Sequence, residues 1–167
     1  MRLPQEENYY DIKTIADCVG EQGQAFLPAT FKGMASKQEN FEQCQLFGID
    51  FDEEPDYEKI KRKFADYHLP IVFSYHTFSS TPEHPKYRII LCHIVPITEK
   101  WLADMILKML KKMFPEADKH CFETARLFYG GKGLIEFHEV IEETGENTFN
   151  VYNLIQEFEK FLYIHDS

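Results

Sequence analysis

Two runs of β-branched and aromatic residues, IVFSYHTF (Ile71 to Phe78) and KYRIILCHIV (Lys86 to Val95), stand either side of the turn-rich connector SSTPEHP. Such residues fit a pleated, half-buried surface, so the pattern predicts a hairpin or two neighbouring strands. A third run, QLFGIDFD (Gln45 to Asp52), predicts another strand. Side chains alternate along a strand, which puts Phe47, Ile49 and Phe51 on one face and Gly48, Asp50 and Asp52 on the other. One face is apolar and the other carries two carboxylates, which repel each other and need a cation, donor groups or open water.

Helical spacing appears around these runs. Ile12, Ile15, Ala16 and Val19 predict a short amphipathic helix with Gly20 and Gly23 as stops. Tyr57, Ile60, Phe64 and Tyr67 predict a surface helix with Pro55 in its first turn. TEKWLADMILKMLKKMF predicts a strongly apolar helix with Thr98 as N-cap and Pro115 as its end, in which Met105, Met109 and Met113 fill the core. TFNVYNLIQEFEKFLYI predicts a final amphipathic helix, and ARLFYGGKGLIEF predicts two short strands around a Gly-Gly turn. The segment from Gln24 to Cys44, with Lys32 and Lys37, has no clear period and is expected to be irregular or briefly extended. Helices interspersed with strands and at least one hairpin point to an α+β arrangement.

At 167 residues the chain fits a single domain spanning 1–167, and its 44% hydrophobic content excludes disorder as the default. Cys18, Cys44, Cys92 and Cys121 form no C-x-x-C pair, which argues against a zinc ribbon or a disulfide framework and fits reduced thiols in the cytoplasm. No run is apolar enough for a signal peptide or a membrane span, so a soluble, intracellular protein without a membrane partner is expected. A net charge of -10 argues against indiscriminate coating of nucleic acid. Lys86, Arg88, Lys119, Arg126 and Lys132 nevertheless punctuate the middle of the chain, so an anion site should be local and small.

Three clusters offer chemistry. For an arbitrary D-x-D the ordinary explanation is a polar strand face ending at a turn. The sharper one for Asp50 and Asp52 is a Mg²⁺ or Mn²⁺ site, since hard cations take carboxylate oxygens and keep positions open for substrate phosphates. In the second cluster Lys86 and Arg88 project from one face, with Ser79, Ser80 and Thr81 in the preceding turn, a set suited to phosphate oxygens and equally to a solvated hairpin. His76, His84 and His93 match no zinc spacing. The third cluster holds Asp118 as a further acid, with Glu116 and Glu123 as competitors. It also holds Arg126, which inside an apolar strand would need an anionic partner, and GGKG, which offers close backbone approach beside Lys132 without being a Walker A loop.

In this order LFGIDFD, YHTFSSTPEHPKYRIIL and FPEADKHCFETARLFYGGKGL resemble the catalytic domain of the archaeo-eukaryotic primase superfamily, in particular the primase-polymerase domains of mobile elements and phage-type replication proteins. The resemblance covers about Phe26 to Phe137. It implies an RRM-like catalytic sheet with flanking helices and an N-terminal α/β unit. It also implies a metal-dependent nucleotidyltransferase that makes or extends strands from nucleoside triphosphates on a single-stranded DNA template. On this resemblance Asp50, Asp52 and Asp118 would be catalytic and hold Mg²⁺ or Mn²⁺, while Ser79, Ser80, Lys86, Arg88, Arg126 and Lys132 would bind the nucleotide phosphates.

The superfamily's second motif, Ser-x-His, departs here to Thr77-Phe78-Ser79-Ser80 with no histidine in register. Three alternatives stand: His76 or His84 substitutes in space, the serines with Lys86 and Arg88 bind phosphate alone, or the domain is a catalytically silent nucleic-acid-binding module. The same carboxylates would also serve a nuclease or phosphodiesterase. Tyr75, Phe78 and Tyr129 are candidates for stacking on template bases. No helicase P-loop is present in the sequence, so a helicase would act from a longer parent chain or in trans.

Overall fold

The structure, a computed structural model, describes residues 11–33, 38–54 and 56–165. Pro55 and Lys37 lie outside the described residues. The chain order is α1 (Ile12–Ala16) running into a π-turn (Asp17–Glu21), β1 (Ala29–Phe31), a 3₁₀ turn (Gln38–Asn40), β2 (Phe41–Phe51), α2 (Tyr57–Asp66), β3 (Phe73–Thr77) and β4 (Tyr87–Ile97). There follow α3 (Lys100–Met113), a second 3₁₀ turn (Lys119–Cys121), β5 (Gly131–Phe137) and α4 (Val151–His165). The fold is α+β, with one antiparallel sheet in the order β1-β2-β4-β3-β5.

The predicted hairpin is present as β3 and β4, paired from Phe73↔Ile90 to His76↔Tyr87. β4 also pairs with β2, so it lies at the centre and is buried from Tyr87 through His93. On one sheet face Phe47, Ile49 and Phe51 align with Tyr87, Ile89 and Leu91 and pack on the apolar sides of α2, α3 and α4. Phe64 and Phe114 stack there at 4.2 Å between ring centroids, and Phe51 meets both edge-on. Fully burying one such ring stabilises by about 1.5–3 kcal/mol, so this aromatic group is a main anchor of the helical layer. The other face collects Phe73, Tyr75, Ile90 and Cys92 under Ala16 and Val19 of the N-terminal helix and π-turn.

Several local expectations are corrected. β2 starts at Phe41 instead of Gln45 and ends at Phe51, leaving Asp52 one residue beyond the strand in an exposed bend. Glu99 and not Thr98 is the N-cap of α3, and it makes no side-chain cap bond. The Gly-Gly pair does not turn a hairpin. Only Gly131–Phe137 is a strand, paired with β3, while the arm before it touches the N-terminal segment through the Phe26↔Phe128 bridge. Close approach explains the two glycines: a Cβ on Gly130 would lie 2.3 Å from the Gly23 carbonyl carbon, and one on Gly131 the same distance from the Tyr75 ring. All four cysteines are free, and burial pushes the thiols of Cys44, Cys92 and Cys121 up to about 12. Among the described residues no helix is long and apolar enough to cross a membrane.

Candidate nucleotide site

Antiparallel register puts three polar side chains in one row across three strands. Asp50 of β2 faces Arg88 of β4, and Arg88 faces Tyr75 of β3. Residues directly opposite in neighbouring strands point to the same side, so the three meet. Arg88 grips both oxygens of Asp50, through Nε to Oδ1 and through Nη2 to Oδ2 at 3.0 Å. Its Nη1 donates to the Tyr75 hydroxyl at 2.8 Å and to the Tyr129 carbonyl, and the Phe128 ring lies 4.5 Å from the guanidinium carbon. Asp50 and Arg88 are only 5% and 7% exposed, so the pair is sealed. Bidentate pairing with the remaining donors satisfied is the arrangement in which a buried ion pair is tolerated.

Around this row one end of the sheet gathers several of the other predicted residues. Asp118 donates its backbone N–H to the Asp50 carbonyl at 2.8 Å, and its Oδ1 caps the following 3₁₀ turn through His120 N at 3.0 Å. Its competitors are elsewhere occupied or turned outward: Glu116 pairs with Lys63 at 2.5 Å, and Glu123 is exposed. Asp52 accepts no hydrogen bond among the described residues. Partial burial, then the Asp50 and Asp118 charges, raise its pKa above the ordinary carboxylate value.

Across the β3–β4 turn Ser80 is buried. Its Oγ accepts from Lys86 N at 2.8 Å and lies 3.4 Å from His76 Nδ1, while its carbonyl accepts from Lys132 Nζ. Ser79 is exposed beside it. Thus Ser80 fastens the turn and Ser79 offers the open hydroxyl. Of the two histidines considered as substitutes, His76 reaches the serine turn and His84 remains in the exposed Thr81–His84 bend. Among the described residues neither Lys86 nor Lys132 pairs with a carboxylate. Arg126 is half-buried, with its Nε buried and without a partner among the described residues.

A phage domain has a similar fold. The primase-polymerase AEP domain of cyanophage S-2L superposes with a TM-score of 0.55 over 89% of this chain and 77% of that domain, at 9% sequence identity. By fold, this chain is similar to a primase-polymerase. No family model matches the sequence, and no curated protein matches it significantly.

On this primase-polymerase fold the carboxylates divide by availability. A Mg²⁺ or Mn²⁺ ion needs oxygens with free lone pairs. Asp50 is the less available of the acids, because each of its oxygens already accepts from Arg88 and the pair is almost fully buried. Asp52 and the second oxygen of Asp118 are free of hydrogen bonds among the described residues and lie close enough for the Asp118 charge to raise the Asp52 pKa. No three His, Cys, Asp or Glu among the described residues form a metal-holding group. The aromatic candidates also divide: Tyr75 is fully buried, whereas Phe78 is 58% and Tyr129 64% exposed.

Proposed function

We propose that this chain is a nucleotidyltransferase of the primase-polymerase type, starting or extending nucleic-acid strands from nucleoside triphosphates on a single-stranded template. The observation that carries the reading is the sheet end itself. It brings two available carboxylates, Asp52 and Asp118, together with Lys86, Lys132, His76 and the Ser79 hydroxyl, and among the described residues neither lysine is paired with an acid. In strand synthesis a 3′-hydroxyl attacks the α-phosphorus and pyrophosphate leaves, so negative charge grows on the phosphate oxygens. Lys86 and Lys132 supply fixed positive charge for the triphosphate, and Ser79 and His76 supply hydrogen bonds to its oxygens. Arg126, whose buried Nε has no partner among the described residues, is a further candidate for a phosphate oxygen. A Mg²⁺ or Mn²⁺ held by Asp52 and Asp118 would supply Lewis-acid stabilisation of the phosphoryl oxygens. Phe78 and Tyr129 present π-faces to template bases, where one stacked base contributes about 1–3 kcal/mol.

The test is extension of a labelled primer on single-stranded DNA with Mn²⁺ or Mg²⁺ and mixed nucleotides, with Asp52→Asn and Asp118→Asn alongside. Extension by the parent and not by the variants supports the reading. Shortening of the primer would instead identify a nuclease. A second reading, a silent nucleic-acid-binding module, is favoured by the capture of Asp50 by Arg88. Template binding by folded protein without any product would select it. A helicase supplied by a longer parent chain or in trans completes the enzymatic reading as a replication activity.

A further inference from the structure

We infer that the cleft between the end of α2 and the start of α4 is a docking site for a basic segment of a partner protein, one whose arginine or lysine is flanked by apolar residues. The cleft has a volume of about 240 Å³, room for one long side chain. Leu69, Ile94 and Leu154 give it an apolar wall, and Thr144, Asn150 and Asn153 add hydroxyl and amide groups. Such a wall suits a side chain that lays an aliphatic stem on apolar surface and holds a charged head among acceptors.

The rim sets the sign of the charge. The loop whose Thr144 and Gly145 line the cleft also carries Glu139, Glu142, Glu143 and Glu146, all exposed. Among the described residues none of these four forms an ion pair, whereas Glu157 beside the cleft is bonded to His68 at 2.9 Å and paired with Lys160 at 3.2 Å. Uncompensated carboxylates at the mouth repel phosphate-bearing ligands and draw in cations. Apolar contact is available at the same mouth, because Ile94, Val95 and Ile141 are exposed. They adjoin through Gly145: its N–H donates to the Ile141 carbonyl at 2.8 Å, and a Cβ there would lie 2.8 Å from Ile94 Cδ1. Single exposed apolar residues are ordinary, whereas a group of them around a polar-rimmed hollow has the form of an interaction surface. Ile94 lies about 20 Å along β4 from Arg88, so a partner held there leaves the proposed nucleotide end open.

The experiment selects binders to the full chain from a random peptide library displayed on yeast. The tightest peptide is then synthesised with a fluorescent label, its affinity is measured by anisotropy, and hydrogen exchange locates it on the protein. Asn153→Trp and Thr144→Trp, both at exposed positions, fill the cleft from two sides without changing charge. A triple variant, Glu142→Gln with Glu143→Gln and Glu146→Gln, removes rim charge. A second triple variant, Glu39→Gln with Glu58→Gln and Glu83→Gln, removes as much charge from exposed positions elsewhere. Circular dichroism checks each variant.

The expected result is a set of peptides enriched in arginine or lysine beside apolar residues, which protect amides within residues 141–154. Their affinity should fall about tenfold in the cleft-filling and rim variants and stay within about twofold of the parent in the distant-charge variant. Enriched peptides that are not basic, protection on another face, an equal loss in the distant-charge variant, or no enrichment at all would overturn the inference. Protection of the same amides in the peptide-free chain at rising concentration would assign the cleft to a second copy, and overturns it too.

Discussion

At the scale of single residues, the Asp50–Arg88 pair makes an asymmetric prediction. Arg88→Met strands a buried carboxylate and should cost about 3–5 kcal/mol of unfolding free energy, whereas adding Asp50→Asn should recover most of it. Urea unfolding of the two single variants and the double variant measures this. Asp52 predicts the opposite kind of effect. Its raised folded pKa means that the folded state holds its proton to higher pH than the unfolded chain does, so stability falls as pH rises from the ordinary value of about 3.9 through the folded one. Asp52→Asn should therefore melt higher than the parent at neutral pH, with the gap closing as pH falls below 4, about the ordinary value. Melting curves across that range check it. A site residue that weakens the fold is what function, and not stability, would retain. The sequence made both acids visible as a pair and did not reveal that they part company, because the partner of Asp50 comes from a strand fixed only by long-range register. A buried guanidinium needs an anion, and the one so paired is Arg88, where the sequence points to Arg126.

At the scale of elements, His93 links the central strand to the last helix. Its Nε2 accepts the Val151 N–H at 3.2 Å, at the first residue of α4, while Nδ1 lies 2.8 Å from the Val95 carbonyl and donates to it. The Val151 bond needs an unprotonated Nε2, and burial lowers the His93 pKa, with the bond to the Val95 carbonyl working the other way. The unfolded chain then binds the proton more readily, so this stability is present above the ordinary histidine value of about 6.5 and is lost as pH falls through the window below it. Exchange of the Val151 amide should accelerate as the pH is lowered towards 5, roughly, beyond the intrinsic pH effect, and His93→Gln should flatten that dependence. Hydrogen exchange with residue resolution reads it. α2, α3, α4 and the β3–β4 hairpin were legible because periodicity marks them directly. The Gly-Gly segment was misread because a tight turn and a close crossing of two chain segments ask for the same residue. Only the positions of Gly23 and Tyr75 distinguish them.

At the scale of the whole molecule, a net charge of -10 and a small positive group at one sheet end set the expected binding behaviour. If Lys86, Lys119 and Lys132 meet about three phosphates, the logarithm of single-stranded DNA affinity should fall with the logarithm of salt concentration at a slope near about -2, and each Lys→Ala should reduce that slope by about 0.7. Fluorescence anisotropy at several salt concentrations measures both. A much steeper slope would reveal a wider basic track than the sheet end offers. The sheet order itself was not readable from the chain, since antiparallel pairing of β5 beside β3 and of β2 beside β4 leaves no local signature. That order also sets a sequence in time. The bridge between Phe26 and Phe128 joins residues about a hundred positions apart, and such contacts form late in folding. During synthesis, the β3–β4 hairpin with α2 and α3 can assemble while the proposed nucleotide end is still open, and that end closes only once the arm carrying Gly130 and Lys132 has emerged and settled against Gly23. A ribosome stalled before that arm would display a sheet without its β5 edge and without α4, its far end still unformed.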